Sequence, residues 1–312
     1  MDIAFLEPLG RAWNRMKIAL FKPFDLHKWF VVGFNAFLAG LLEMYNGSGS
    51  SQWRENSNFR EFTGLPNRTW EWLMDNPGWF FAIIIIAAFV IALVITLIWL
   101  SARGTFMFLD NVVHDRAEIA KPWNRYKKEG NSLFLWRLVF GLICLMLFIM
   151  FFVLFFITAP HIYDSSYSHR APIAFLIPIG LLFLLLIIII GYISLFLKSF
   201  VAPIMYKNNI TTTQAWSRFL SLFKRYPFHF ILYGLIMFVL TIMVVIFIVI
   251  AGLATCCIGF VLLVIPVVGT VVTLPVWYTF RAFSLDFLAQ FGPEFDVFPP
   301  SEDSPAQATA KP

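Results

Sequence analysis

Asp110, His114 and Glu118 stand at i, i+4 and i+8 within a stretch running from Arg103-Gly104-Thr105 to Arg116-Ala117-Glu118. On one continuous helix that spacing lines a carboxylate, an imidazole and a second carboxylate along a single face. Such a row would hold a divalent metal or move a proton, since both group types serve as metal ligands and as acid–base catalysts. The plainer reading is a polar helix leaving an apolar environment, with local ion pairs to Arg116 and Lys121. No second cluster of His or Cys completes a metal site, and His27, His161, His169 and His229 are scattered over connecting segments. Neither a phosphate-cradling glycine loop, nor a nucleophile elbow, nor a zinc-protease helix occurs. The residues therefore predict no cofactor, no metal and no defined catalytic centre.

The same region belongs to a wider set of charges. Arg103, Asp110, His114, Glu118, Lys198, Arg281 and Asp286 all fall near the ends of apolar runs, and together form a candidate polar network. Its functional version is a proton or ion path. Its structural version ties helix ends together, with long basic side chains reaching toward headgroups. Asn35 and Glu43, inside an apolar run, point to an internal polar cavity or to hydrogen bonds between helices.

The elements that must position these groups follow from composition. Of 312 residues, 60% are apolar and only 13% charged, with a mean hydropathy of +0.78. A water-soluble domain carries roughly 25% charged residues to keep its surface wet. The missing polar surface implies lipid as solvent. Long uncharged runs, without the alternation of barrel strands, imply helices, which satisfy their own backbone groups in hydrocarbon. The expected fold is all-α and integral to the membrane. Six transmembrane helices are predicted at about residues 29–45, 79–101, 133–157, 173–197, 228–251 and 267–289. Residues 1–291 then form one polytopic domain, and 292–312, rich in Pro, Ser, Ala and acidic residues, a disordered cytoplasmic tail. Phe295, Val297 and Phe298 in that tail form a candidate docking motif. Residues 252–267 are too apolar for a wet loop, and read as a re-entrant turn, a helix extension or a seventh span.

Charge sets the orientation. The chain carries a formal net charge of +5, and 19 of its 23 Lys and Arg residues fall on one side of the six-span arrangement. The positive-inside rule makes that side cytoplasmic, with both termini there and a cell inner membrane as the setting. Basic groups so placed meet anionic lipid headgroups, which excludes nucleic acid as the partner they imply. No cleavable leader is expected, because the first residues lack a basic patch ahead of a short apolar core. The outer loop over residues 46–77 bears Trp70 and Trp72, with Trp79 just beyond, as in an aromatic belt. Cys144, Cys256 and Cys257 read as packing residues, and Gly180, Gly191, Gly234 and Gly269 as sites of close helix approach.

A short pattern recurs before each odd-numbered span: Ala12-Trp13-Asn14-Arg15, Pro122-Trp123-Asn124-Arg125 and Ala215-Trp216-Ser217-Arg218. Leu20-Phe21-Lys22 and Leu222-Phe223-Lys224 extend the likeness between the first and third copies. Each copy is predicted to be a cytoplasmic amphipathic helix at the interface, with Trp at headgroup depth and Arg reaching phosphates. Trp13, Arg15, Trp123, Arg125, Trp216 and Arg218 are its anchors. Each helix would lead into a hairpin of two spans, giving three units.

Arg103-Gly104, Asp110 through His114, Arg116-Ala117-Glu118-Ile119, Pro122-Trp123 and Gly130-Asn131-Ser132 resemble an uncharacterised family of bacterial polytopic membrane proteins. Phe21-Lys22-Pro23-Phe24, ahead of Trp29, shares the resemblance. That family is itself distantly similar to membrane domains attached to some glycerophosphodiester phosphodiesterases. The likeness covers about residues 5–295, with its specific part at about 110–132. It implies a bacterial inner membrane and six spans. It implies no activity and carries over no functional residue, since the phosphodiesterase catalytic domain has no counterpart here. The leading functional expectation is a non-enzymatic scaffold or subunit acting through a protein partner in a membrane complex. The alternatives are a transporter or channel for a small or lipid-like solute, and a membrane enzyme using Asp110, His114 and Glu118.

Overall fold

Helices account for nearly all the regular structure of the chain. The computed structural model describes residues 3–45, 74–163, 171–255 and 258–299, with side chains omitted at 42–45, 155–163, 171–176 and 258. Among the described residues there is no β-strand. The helices are α1 (Leu6–Phe21), α2 (Leu26–Tyr45), α3 (Pro77–His114), α4 (Ala120–Arg125), α5 (Lys127–Tyr163) and α6 (Ala171–Phe196). A π-helical turn (Leu197–Val201) joins α6 to α7 (Ala202–Asn208). Then come α8 (Thr212–Arg225), α9 (Pro227–Ala254), α10 (Ile258–Val264), α11 (Pro266–Val272) and α12 (Leu274–Ala289). Glu43's side chain, most of the 46–77 loop with Trp70 and Trp72, His161's side chain, His169, the Cys256-Cys257 pair and residues 300–312 lie outside the described residues.

Four helical stretches are long and apolar enough to cross a membrane: Pro77–His114, Lys127–Leu154, Ile177–Asn208 and Pro227–Ala254. Their surroundings change along their length. In α3, residues 81–96 are exposed almost throughout, although nearly all are Ile, Val, Leu, Ala or Phe. From Ser101 to Val113 nearly every residue is buried. At 1.5 Å per residue, the 38 residues of α3 span ~57 Å, almost twice the ~30 Å hydrocarbon core of a bilayer. One part of the helix has lipid as its solvent, and the rest packs against protein.

The protein core gathers at one end of these helices, the inner end, away from their exposed apolar stretches. Phe200 stacks on Phe219 at 5.5 Å and meets Phe230 edge-on at 5.0 Å and Tyr233 at 4.8 Å. Phe283 and Phe287 of α12 close the cluster against Tyr233. Around it lie two amphipathic helices. In α1, Pro8, Ala12, Met16, Ala19 and Leu20 form the buried stripe that packs on α12, while Trp13, Lys17 and Ile18 face outward. In α8, Thr212, Ala215, Phe219 and Leu222 do the same. These offsets of three and four residues keep one face of a helix inward. A capping box starts α8, where the Thr211 amide donates to Gln214 Oε1 at 3.2 Å.

Glycine sets how closely some helices approach. A Cβ on Gly104 of α3 would lie 2.5 Å from Leu38 Cβ and 2.8 Å from the Ala39 nitrogen of α2. One on Gly33 of α2 would lie 2.5 Å from Val271 of α11. Gly234 approaches the Tyr192 ring, and Gly269 the Leu263 carbonyl, as close packing predicts. Gly180 and Gly191 have nothing within 4 Å of an added Cβ. They face away from the neighbouring helix, since α5 meets α6 instead through Phe183, stacked on Phe151 at 4.6 Å.

Two other expectations differ from the structure. The stretch 267–289 is divided into α11 and α12 at Thr273, because Pro275 brings no N–H to a continuous ladder. Helix α10 folds back on the end of α9, with Gly252 against the Phe260 ring and Gly259 against Thr255. The tail departs from disorder at its start: Phe295, Val297 and Phe298 are buried against the core, and Arg15 stands 3.8 Å over the Phe298 ring. Three apolar side chains within four residues supply enough burial to hold that segment. Gln290 fixes the neighbouring chain end by exchanging two 2.9 Å hydrogen bonds with the Ala4 backbone.

Replacing Gly104 by Ala forces α2 away from α3 and should cost about 1–3 kcal/mol. Gly141→Ala, with open space around it, should leave stability unchanged or slightly raised. Thermal unfolding of the detergent-solubilised chain measures both, and equal midpoints would remove the close-approach account.

Candidate functional site

Asp110 is the centre of the polar groups at the inner ends. It sits on the buried part of α3, and its Oδ1 accepts from the Tyr206 hydroxyl at 2.7 Å and the Tyr126 hydroxyl at 3.2 Å. His114, one turn on, places Nδ1 3.4 Å from the same oxygen and 3.2 Å from the Tyr206 hydroxyl. The two phenol rings pack at 4.9 Å. Asp110 thus joins α3, the start of α5 and α7. Burial above all raises the Tyr126 phenol above its usual value, and the nearby Asp110 charge adds to the rise.

Glu118 does not join this row. Helix α3 stops at His114, because Asp115 takes a left-handed conformation with φ 51°. The chain then turns, so the i+8 position never forms. The Asn111 side chain clasps the Glu118 backbone, donating to its carbonyl at 3.0 Å and accepting from its amide at 3.1 Å. Asn35 of α2 donates to the same carbonyl at 3.3 Å. Asn35 thus ties α2 to the turn between α3 and α4. The Glu118 carboxylate lies 3.6 Å from Lys121. Among the described residues no group of three or more His, Cys, Asp or Glu side chains is gathered as a metal would need.

The remaining network residues occupy separate places. Arg103 lies between two indoles, 4.5 Å from the Trp99 ring and 4.8 Å from the Trp123 ring, and donates to Asn131 at 3.2 Å. Arg281 Nη1 donates to the Lys198 carbonyl at 2.7 Å, and the Lys198 ammonium stands 4.7 Å over the Trp277 ring. Asp286, on α12, lies 3.5 Å from Arg15 of α1. Of the other anchors, Trp13 and Arg218 are exposed, Arg125 stands over Tyr126, and Trp216 stacks on Trp136 at 5.4 Å.

The functional pattern missed in the sequence is the set of partners. Tyr126 and Tyr206 both donate to Asp110 Oδ1, and Arg137 donates to Ser101 and Thr105 of α3 at 3.2 and 3.3 Å. The usable signal was a tyrosine set directly beside basic residues, Arg125-Tyr126-Lys127 and Tyr206-Lys207. With these groups paired inside the core, the arrangement fixes helix ends.

A model for a family of unknown function, DUF7544, matches residues 4–274 of the chain, nearly its whole length. The chain belongs to that family. No curated protein and no solved structure matches it. The family match carries no link to glycerophosphodiester phosphodiesterases and assigns no activity. For this family member the four long apolar helices are those of a membrane protein.

Tyr206→Phe removes the shortest bond to a buried carboxylate and should lower stability by about 1.5–3 kcal/mol. Asp110→Asn should cost a similar amount, and the double variant less than the sum, since the two groups share one bond. Additive losses in thermal unfolding would show that the pair is not coupled.

Proposed function

We propose that this protein is a six-span membrane scaffold or subunit, non-enzymatic, built from three repeated units with their inner ends in the cytoplasm of a cell bounded by an inner membrane. The carrying observation is the division of each long helix into a lipid-exposed outer part and a closed inner core. The outer parts of α3, α5, α6 and α9 present apolar side chains on nearly every face. That surface suits lipid and the spans of a partner, while the polar groups of the inner end are used in ties between helices.

Residue spacing supports the three units. Each contains a Trp-x-Arg helix, an outgoing apolar helix and a returning one. Asp115 and Asn209 end the first two returns in left-handed conformations, and Gly292, with φ 142°, follows the third. A basic residue precedes each by eleven or twelve positions: Arg103, Lys198 and Arg281. In the first and third units a tryptophan precedes that residue by one turn, at Trp99 and Trp277. In this arrangement α2 makes the first crossing, and α10 with α11 and α12 makes the sixth as a broken helix. The Lys and Arg bias supports cytoplasmic termini.

The other readings have less support. Asn35, expected at a solute cavity, is buried and bonded to the Glu118 backbone. Asp110 and His114 are bonded to tyrosines, and Glu118 stands beside Lys121.

Fluorescent reporters that mature only in cytoplasm, fused to either terminus, should be bright, and the same reporter inserted within residues 46–73 should be dark. A dark terminus would overturn the topology. Photo-cross-linkers at Phe89, Met146 and Phe247, all exposed, should give a discrete protein adduct in native membranes on one face of at least one helix. Lipid adducts alone at every position would remove the subunit reading.

A further inference from the structure

A cavity of about 460 Å³ lies between α6, α9 and α12, with Phe108 of α3 at its inner end. That volume is within the ~300–1,000 Å³ usual for small-molecule sites. Its wall takes in residues 237–248 of α9, Thr273 at the break, and residues 276–284 of α12. Eleven residues of helix rise ~16 Å, about half the ~30 Å hydrocarbon thickness. The cavity is therefore about one leaflet long.

Its two ends differ in chemistry. Val244, Val245 and Ile248 of α9 line one end, and Lys198, Arg281 and Ser284 the other. The lining holds two cations and no carboxylate among the described residues. Both cations are held in place: Lys198 over Trp277, and Arg281 by its 2.7 Å bond to the Lys198 carbonyl. Such prior ordering reduces the entropy lost on binding. Lys198 also belongs to the π-helical turn Leu197–Val201, a feature that recurs at functional sites. The turn has a local cause, since Pro203 offers no N–H to the Ser199 carbonyl.

We infer that this cavity binds an anionic phospholipid of the cytoplasmic leaflet, its phosphate at Lys198 and Arg281 and one acyl chain along Val244, Val245 and Ile248. Charge complementarity selects the headgroup, because two clustered cations at the base of an apolar slot favour a phosphate bearing net negative charge. Depth selects the source: the slot is too apolar over its upper length for a free anion and matches a single chain of one leaflet. The inference rests on the membrane placement proposed above and is independent of the subunit role.

The full-length chain, purified in a zwitterionic detergent, is titrated with phosphatidylglycerol, with phosphatidylcholine of the same chains, and with inorganic phosphate, and binding is read by native mass spectrometry. Phosphatidylglycerol should bind at least tenfold more tightly than phosphatidylcholine, and phosphate alone should not displace it. Lys198→Gln should reduce phosphatidylglycerol affinity about tenfold, which is ~1.4 kcal/mol. Thr241→Trp should fill the slot and abolish binding, while Val239→Trp, on the same helix away from the cavity, should bind as the unaltered chain does. Should Thr241→Trp fail to fold, Val245→Phe supplies the same obstruction from an exposed position. Equal affinity for the two lipids, unaltered binding in Lys198→Gln together with a filled slot, or displacement by phosphate alone would overturn the inference. A lipid preference that persists with reversed termini would separate this result from a failed topology.

Discussion

Each long helix of this protein must satisfy two solvents along one axis. Hydrocarbon offers no hydrogen bonds, so the outer part of α3 is built from Ile, Val, Leu, Ala and Phe on every face. From Ser101 inward the same helix lies within protein, and polar side chains appear only where a partner stands ready, as with Ser101 on the Ala39 carbonyl at 3.1 Å. The same transition occurs near Phe196 at the end of α6, and near the start of α9, where Phe230 and Tyr233 are buried and Phe238 and Val239 are exposed. Cohesion is thus concentrated at one end of the helices.

That concentration follows from what can hold helices together in lipid. Leu and Ile surfaces gain little by leaving acyl chains for one another, so association depends on close packing and on hydrogen bonds. The structure has both, at the inner end. Gly104 and Gly33 bring backbones close around α2, Asp110 and Arg137 join helices distant in sequence, and Asn35 and Asn111 both hold the Glu118 backbone in the turn after α3. Where neither device occurs, as around Gly141 and Gly180, added side chains would meet nothing.

The legible part of the sequence was the part governed by composition. Runs such as residues 80–100 and 177–196 cannot be wetted, so α3, α6 and their counterparts followed directly, as did the amphipathic stripes of α1 and α8. Local backbone choices were not legible. Nothing in Val113-His114-Asp115 demands that the helix end, because Asp tolerates a left-handed turn without requiring it, and the expected row ending at Glu118 fails for that reason. The division at Thr273 was signalled by Pro275 but overridden by the apolar character around it. Partners distant in sequence were least visible: Tyr206 lies 96 positions from Asp110, and only the three-dimensional fold brings it there. The tail motif at Phe295, Val297 and Phe298 was visible as an apolar island, yet its partner, Arg15 on α1, was not.

Three basic residues near the buried helix ends are held in different ways. Arg103, Lys198 and Arg281 hold comparable positions ahead of their left-handed stops, and each stands over at least one aromatic ring. A cation near hydrocarbon is expensive unless a quadrupole, carbonyl or anion offsets it. Arg103 has two indoles and Asn131 and lines none of the described cavity. Lys198 and Arg281 instead share one site, with a carbonyl of one bonded to the other and open volume beside both. The pair meets where the π-helical turn packs against α12. Beside Arg103, α2 packs closely along α3 through Gly104. Arg103 is thus clamped between rings, whereas Lys198 and Arg281 border open volume.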